Sequence, residues 1–486
     1  MKKQVIVLIV LSVGLVPLFA CGANWYVDST ASADGNGASD SPFKTIRAAL
    51  DASGAGDTIW VRGGEGRSYT IAGDSDALQI PETKEGLFIC AYETNPGDGG
   101  RAVLAVADDY ITSGNKCHIV SNGAANVTFS GFICSYGKES LGKQKVGDVR
   151  FVFLGAPNFT LSACEFFCTG VPGYLGSGAN GIVTPKTEDL NTASGLTIDN
   201  CFFHDTTGYR VDTAATPVFV PHNTTIQNSV FSNVWRIAAD PGPNKGKYTN
   251  FTFVSNVVYV GAISGDWSPT GANFQFGSLF SSGYGGLGEN AEIAYNVFIG
   301  TDEDWRGIFA MTRFDGFGGK QRFHHNVIRN FAWTWRYQRG GDSPNKSTVI
   351  EMFDNIFDLT GGRTIVFDEG YNGDTPYVGR SIFVSGSFFR NNALVRSSAF
   401  WGGASALANG YDRSVVLLTN NVGLAASPEF VETNDIYSAD FYRPKLRLGQ
   451  DVDLRRIGWT GENGEYPRFV GAREPIVMGS FKIYLR

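Results

Sequence analysis

Aromatic–arginine pairs recur along this chain at Tyr209-Arg210, Trp235-Arg236, Trp305-Arg306 and Trp335-Arg336, and Trp267, Trp333, Tyr337, Arg339 and Arg363 enlarge the set. A flat aromatic face covers a sugar ring, and a guanidinium group pairs bidentately with a carboxylate or sulfate. A row of both residue types is what an extended anionic polysaccharide requires. The plain structural alternative is cation–π packing that closes loops. Proton-transfer candidates stand close by in sequence. Lys186 and His222 follow apolar runs ending at Thr184 and Val220, Arg313 follows a run ending at Ala310, and Arg236 belongs to one of the pairs.

Acidic residues offer a competing chemistry. Asp302-Glu303-Asp304 directly precedes Trp305-Arg306, and Asp368-Glu369 ends another strand-like run. The first cluster has the oxygen ligands that calcium favours, so calcium is the one cofactor expected. Two carboxylates facing each other across a groove would instead hydrolyse a glycosidic bond. For each cluster taken alone, a solvated loop is the ordinary reading. His324-His325 has no acidic neighbour in sequence and reads as structural.

These residues need a scaffold that brings distant segments side by side, and an internal repeat supplies it. An apolar residue, a small polar residue three positions on and a second apolar residue two beyond recur in a regular series. The series is Leu161-Cys164-Phe166, Ile198-Cys201-Phe203, Ile226-Ser229-Phe231, Phe253-Asn256-Val258, Ile293-Asn296-Phe298, Phe323-Asn326-Ile328, Met352-Asn355-Phe357, Phe389-Asn392-Leu394 and, more weakly, Leu418-Asn421. Six of the nine centres are Asn, and inward asparagines at one turn of successive coils can hydrogen-bond to each other. Such a repeat means stacked coils in a solenoid, with surplus residues looped out. Further runs at 151–154, 181–184, 217–220, 274–276, 307–310 and 364–367 are expected to form another sheet of the same coil. The aromatic–arginine pairs follow the repeat centres at similar offsets, which is expected to align them along one flank.

Composition agrees with one all-β solenoid. Glycine contributes 61 of 486 residues and aromatics 13%, while charged residues are only 18%. Few charges and many aromatics exclude a disordered or coiled-coil chain, and glycine at this level disfavours long helices. The formal net charge of −7 excludes general nucleic-acid affinity. Pro42–Ala52 reads as an amphipathic capping helix, followed by Gly56–Gly63 as the first strand and turn.

Met1-Lys2-Lys3 and the apolar run Val5–Phe19 read as an export signal ending near Ala20. Cys21 is a candidate lipidation site, so any membrane attachment would run through an N-terminal lipid. The β-helix is expected over 24–475, with 476–486 as a tail. Six other cysteines, at 90, 117, 134, 164, 168 and 201, permit disulfides in an oxidising compartment. Cys164 and Cys201 sit at repeat centres and read as buried thiols.

Trp25-Tyr-Val-Asp28, Ser41-Pro-Phe-Lys-Thr-Ile46 and Gly86–Tyr92, with Ser427–Val431, Asp440–Arg443 and Phe469–Ala472 near the other end, resemble secreted right-handed parallel β-helix proteins of the pectate-lyase-like superfamily. The resemblance covers nearly the whole mature chain and specifies fold better than activity. It implies a polysaccharide lyase, a monomer acting on a uronate-containing or sulfated glycan by β-elimination. A glycoside hydrolase and a non-catalytic glycan-binding solenoid are the alternatives. Lys or Arg bases are common in the family, but no catalytic motif of it is intact here.

Overall fold

The tightest element of this fold is a two-residue corner that recurs in coil after coil. Its first residue takes the left-handed conformation, with φ between 51° and 59° at Ala163, Asn200, Asn228, Ser255, Tyr295, His325, Asp354, Asn391 and Asn420. Its second residue is the repeat centre, which points inward. Left-handed backbone costs a non-glycine residue about 1–2 kcal/mol, so each corner needs compensation. The buried amides supply it. Asn256 Nδ2 lies 3.2 Å from Asn296 Oδ1, and Asn296, Asn326, Asn355 and Asn392 donate in the same way to Asn326, Asn355, Asn392 and Asn421 at 2.9–3.0 Å. Each acceptor oxygen also takes the backbone N–H of the preceding coil's asparagine. Ser229 and Cys201 extend the row by the same logic, the Cys201 amide donating to Ser229 Oγ at 3.0 Å.

The computed structural model describes residues 22–73, 76–106, 119–136, 151–168, 181–185, 191–204, 216–232, 237–239, 249–259, 278–282, 289–300, 307–311, 320–331, 333–338, 349–358, 364–369, 387–395, 401–402, 416–424, 427–431, 433–434, 438, 442–446, 454–473 and 475–477. Among these the corners join a thirteen-stranded sheet to a twelve-stranded one, and an eleven-stranded sheet completes each coil. The pairing within all three is parallel, as between Leu161 and Ile198, Phe166 and Phe203, and Phe309 and Trp335. The chain is a right-handed parallel β-helix, the hand that parallel crossovers almost always take. The expected additional sheet is the eleven-stranded one, and it contains Val152–Leu154, Gly181–Pro185, Thr216–Phe219, Gly307–Met311 and Thr364–Glu369. The corresponding strand in the 274–276 region is Ser278–Ser282 instead, and 274–276 lies outside the described residues.

Phenylalanine fills the interior. Phe166, Phe203 and Phe231 stack with centroids 5.0 and 5.1 Å apart, and the column continues through Phe253, Phe298, Phe323 and Phe357 at 5.7–6.4 Å. All seven are at most 1% exposed. Parallel strands repeat identical side chains at one coil spacing, and that spacing suits offset ring stacking. Among the described residues, phenylalanine is therefore mostly core.

The opposite edge of the thirteen-stranded sheet carries a second set of left-handed residues: Gly56, Gly86, Asn126, Asn158, Gly195, Asn223, Asn250 and Asn290. Their amides also chain together, Asn158 to Asn126 at 3.0 Å and Asn250 to Asn223 at 2.8 Å, but these side chains are exposed. Only glycine and asparagine tolerate this conformation readily.

The N-terminal cap departs from its sequence expectation. The first strand is Asn24–Val27, which pairs with Thr58–Val61, so Gly56–Gly63 holds the second strand. The helix spans only Ile46–Ala52, because the Thr45 hydroxyl accepts from the Ala48 amide and caps it there. Phe43 before it is tied to the first strand, its N–H donating to Tyr26 O at 2.8 Å. Ile46, Ala49 and Leu50 bury their side chains on the coil end. At the other end, Phe430, Tyr442, Leu454, Val470 and Ala472 cover the outer valine and isoleucine row of the twelve-stranded sheet. Ile476–Val477 is still tied in, pairing with Lys445-Leu446. Cys90, Cys134, Cys164 and Cys201 are free thiols, with Cys164 and Cys201 in the corner row as expected.

Replacing Asn326 with Ala removes the acceptor of the buried Asn296 N–H and Nδ2 and the amide donor to Asn355 Oδ1, so it breaks the row on both sides. Unpaired buried groups cost about 1–3 kcal/mol each. Asn326→Ala is therefore expected to lower the thermal midpoint sharply, while Asn158→Gly in the exposed row leaves it within a degree or two, as followed by circular dichroism.

Candidate functional site

Chain connectivity gathers the sequence candidates around one sheet. The corner between the thirteen- and twelve-stranded sheets never exceeds its two residues from Ala163 to Asn421, so insertions fall elsewhere. They fall at the two borders of the eleven-stranded sheet. Tyr209, Arg210, Trp235, Arg236, Trp267, Asp302, Glu303, Asp304, Trp305 and Arg306 lie in segments entering its strands, and Lys186 and Arg313 in segments leaving them. All twelve are outside the described residues, and so are Lys245, Lys247, Tyr248, Arg339 and Arg363.

Trp335, Arg336 and Tyr337 are in a strand of this sheet, Trp333–Gln338. Trp335 pairs with Phe309 and Val366, Arg336 with Ala310 and Phe367, and Tyr337 with Met311 and Asp368. The Trp335 row runs back through Phe309, Phe280, Ala238 and Val218 to Val183, Val152 and Ile119. Those last three are fully buried. Arg336, one residue on, belongs to the neighbouring register row, with Ala310 and Phe367. Equal offsets from the repeat centres do not give equal heights on the sheet. Gly307, just past Arg306, pairs with Trp333, so one strand begins after its aromatic–arginine pair and the next begins before it.

His222 is half-buried at the corner leading into the thirteen-stranded sheet. Its Nδ1 accepts from the Thr249 N–H at 3.0 Å and lies 3.0 Å from Thr249 Oγ1, while its carbonyl accepts from the Gly195 N–H at 2.9 Å. The residue thus fastens the coil before it to the coil after it. Nδ1 is committed as an acceptor, which leaves Nε2 as the ring's remaining polar atom.

Two polar clusters escape a reading of the sequence because their members sit one or two coils apart. In the first, Glu165 on the outer face of the twelve-stranded sheet accepts from Arg101 at 2.6 Å and lies 3.1 Å from His204 Nε2. His204 stacks on Phe202 and Phe167, with centroids at 4.2 and 4.8 Å. In the second, the fully buried His324 and His325 acquire the acidic partners that their own sequence neighbourhood lacks. His324 Nε2 is 3.3 Å from Glu292 one coil before, and His325 Nε2 is 3.7 Å from Asp354 one coil after. The only sequence signal for either is acidic residues at the repeat spacing.

This second cluster fastens the C-terminal segment. Both Asp354 oxygens accept the Trp459 N–H, at 2.8 and 2.9 Å, and the Gly471 N–H donates to Asp354 O. His325 Nε2 lies 3.1 Å from Pro467 O and donates to it. Arg390 covers the Trp459 ring at 4.8 Å. Burial pushes the Asp354 carboxyl up to about 8 against the opposing pull of the Trp459 amide and Arg390. Burial, and then His324, push His325 down to about 3. Among the described residues, no group of three or more His, Cys, Asp or Glu side chains could hold a metal ion. None of their helices is long and apolar enough to cross a membrane.

No family model matches the chain, and no curated protein matches it. Solved structures do. Pectate lyase Pel9A matches with a TM-score of 0.45 and 16% identity over 93% of this chain and 96% of that one. The PL6 family polysaccharide lyase Pedsa3628 from Pseudopedobacter saltans matches with 0.45 and 12% over 79% and 92%. A rhamnogalacturonan lyase matches with 0.42 and 13% over 87% and 96%.

The shifts at Asp354 and His325 act in opposite directions on stability. A carboxyl raised from 3.8 to about 8 contributes fully below 3.8, and that contribution is lost as pH rises toward 8. A histidine lowered from 6.5 to about 3 contributes fully above 6.5, and that contribution is lost as pH falls toward 3. Between pH 3.8 and 6.5 the two slopes offset each other. From pH 6.5 to 8, Asp354 alone is expected to lower the wild-type thermal midpoint and speed amide exchange at Trp459 and Gly471. Asp354→Asn should flatten both profiles in that window; parallel wild-type and variant profiles would show that this carboxyl does not titrate there.

Proposed function

We propose that this chain is an exported polysaccharide lyase that binds an acidic glycan across the eleven-stranded sheet and cleaves it by β-elimination. The observation that supports this most is connectivity: nearly all of the aromatic, arginine and candidate base residues border that sheet or lie in it. Side chains from successive coils would then follow one another at about 4.8 Å, a spacing suited to contacting an extended chain at several sugars.

In the proposed reaction, a basic side chain removes the proton at C5 of a uronic acid. The electron pair forms the C4–C5 double bond, the C4–oxygen bond breaks, and the departing oxygen takes up a proton. The difficult species is the enolate-like intermediate, whose charge collects on the sugar carboxylate. Fixed cations beside that carboxylate stabilise it without reorganisation. Arg336 and Arg306 are assigned this role, and Lys186, Arg236 and Arg313 are the candidate bases. His222 is a weaker candidate because one ring nitrogen is committed to Thr249. Asp302, Glu303 and Asp304 form the segment proposed to hold calcium, which would supply further positive charge at the sugar carboxylate.

The test is a panel of acidic polysaccharides followed for new reducing ends and for ultraviolet absorbance of unsaturated sugar. Both signals together are expected. Reducing ends without absorbance would replace elimination by hydrolysis, and binding without new ends would make the protein a glycan-binding solenoid. Arg336→Ala should reduce kcat/KM at least tenfold, about 1.4 kcal/mol, with the thermal midpoint unchanged.

A further inference from the structure

The outer face of the twelve-stranded sheet is covered by C-terminal residues over its later coils, and where that cover ends a cleft of about 400 Å³ remains. Phe202, Val230 and Val257 form a floor that spans three successive coils. The corner residues Asn200 and Asn228 border one side, and Arg473 with Ser438 forms the wall contributed by the C-terminal segment. The Arg101–Glu165 pair closes the end nearest the N-terminus. From Glu165 to Val257 the cleft crosses three coil steps, roughly 14 Å at about 4.8 Å per step.

Arg473 is the unusual group. Among the described residues it has no carboxylate partner, although burial and the neighbouring Arg443 both disfavour its charge and lower its pKa. A guanidinium held half-buried beside a second one is stabilised by an anion in its fork. Arg101, in contrast, is already neutralised by Glu165. The surroundings of Arg473 are not those of a bare inorganic anion site. Apolar floor, amide-bearing rim and one cation together match a pyranose ring, whose C–H face is apolar and whose hydroxyls need donors and acceptors.

We propose that this cleft is a second saccharide site, separate from the eleven-stranded sheet, which holds a carboxylate-bearing pyranose with its carboxylate on Arg473. The floor carries the ring, and Asn200 and Asn228 meet its hydroxyls. The site binds and does not cleave, so it stands or falls independently of the lyase reading. On a polysaccharide it would hold one stretch of chain while another lies elsewhere on the same molecule, raising avidity without new chemistry.

D-galacturonic acid, which has no glycosidic bond to break, is the probe, and D-galactose and sodium sulfate are its controls. Calorimetric titration of wild type, Arg473→Gln and Arg473→Lys is expected to show an at least tenfold weaker galacturonate event in Arg473→Gln. The lysine variant, which keeps charge but loses the fork, should fall between. Galactose should bind at least tenfold more weakly than galacturonate to wild type, and cleavage of any polymer substrate should be unchanged in Arg473→Gln. Unaltered galacturonate binding in both variants would overturn the site. Galactose binding as tightly as galacturonate would overturn the carboxylate assignment, and sulfate binding as tightly would overturn the sugar assignment. Should Arg473→Gln fail to fold, the lysine variant alone decides, since equal affinity with wild type contradicts a bidentate contact.

Discussion

The two-residue corner with its buried amide is the constraint on which this molecule depends. It asks for a left-handed residue and an inward polar one at every coil, two features that would each destabilise an isolated turn. Stacking converts both into support. Each asparagine oxygen accepts from the coil before it, and each amide donates to the coil after it. Because every member is paired, the row fixes the register between neighbouring strands and cannot slip by one residue without orphaning several groups. Equal register then places Phe166, Phe203 and Phe231 above one another, and from Phe253 on the column alternates between the two sheets that the corner joins.

A rigid corner also decides where the chain is free to vary. Insertions cannot enter the connection that holds the amides, so they enter at the two borders of the eleven-stranded sheet. That is where the long segments 260–277 and 370–386 lie. The outer face of the twelve-stranded sheet is meanwhile occupied over its later coils by Phe430, Tyr442, Leu454, Val470 and Ala472. Their segment is fastened through Asp354, His325 and Arg390, side chains on or beside the same corners. The corner therefore organises core, variable segments and C-terminal cover together.

Much of this is legible in the sequence, for a definite reason. The repeat centres are visible because a buried row demands one residue type at one position, and Asn256 through Asn421 meet that demand. The exposed row at Asn126, Asn158, Asn223, Asn250 and Asn290 is harder to see, since glycine substitutes freely there at Gly56, Gly86 and Gly195. The partners of His324 and His325 are invisible locally because stacking brings Glu292 and Asp354 from one coil away on either side. Trp335 shows the limit of counting residues from a repeat centre. The connection after Asn326 is shorter than the one after Asn296, so the same offset lands within one strand and ahead of the other. Fold is written in the fixed corner, whereas the proposed site residues fall mostly in the variable segments, where spacing carries less information.

In the proposed reading, function resides on the eleven-stranded sheet because the corner leaves the chain free only at that sheet's borders. A crystal structure with a bound acidic oligosaccharide tests it most directly. The sugar is expected across the strands Gly307–Met311, Trp333–Gln338 and Thr364–Glu369, with a carboxylate or sulfate at Arg336. An oligosaccharide bound only on the outer face of the thirteen- or twelve-stranded sheet would contradict it.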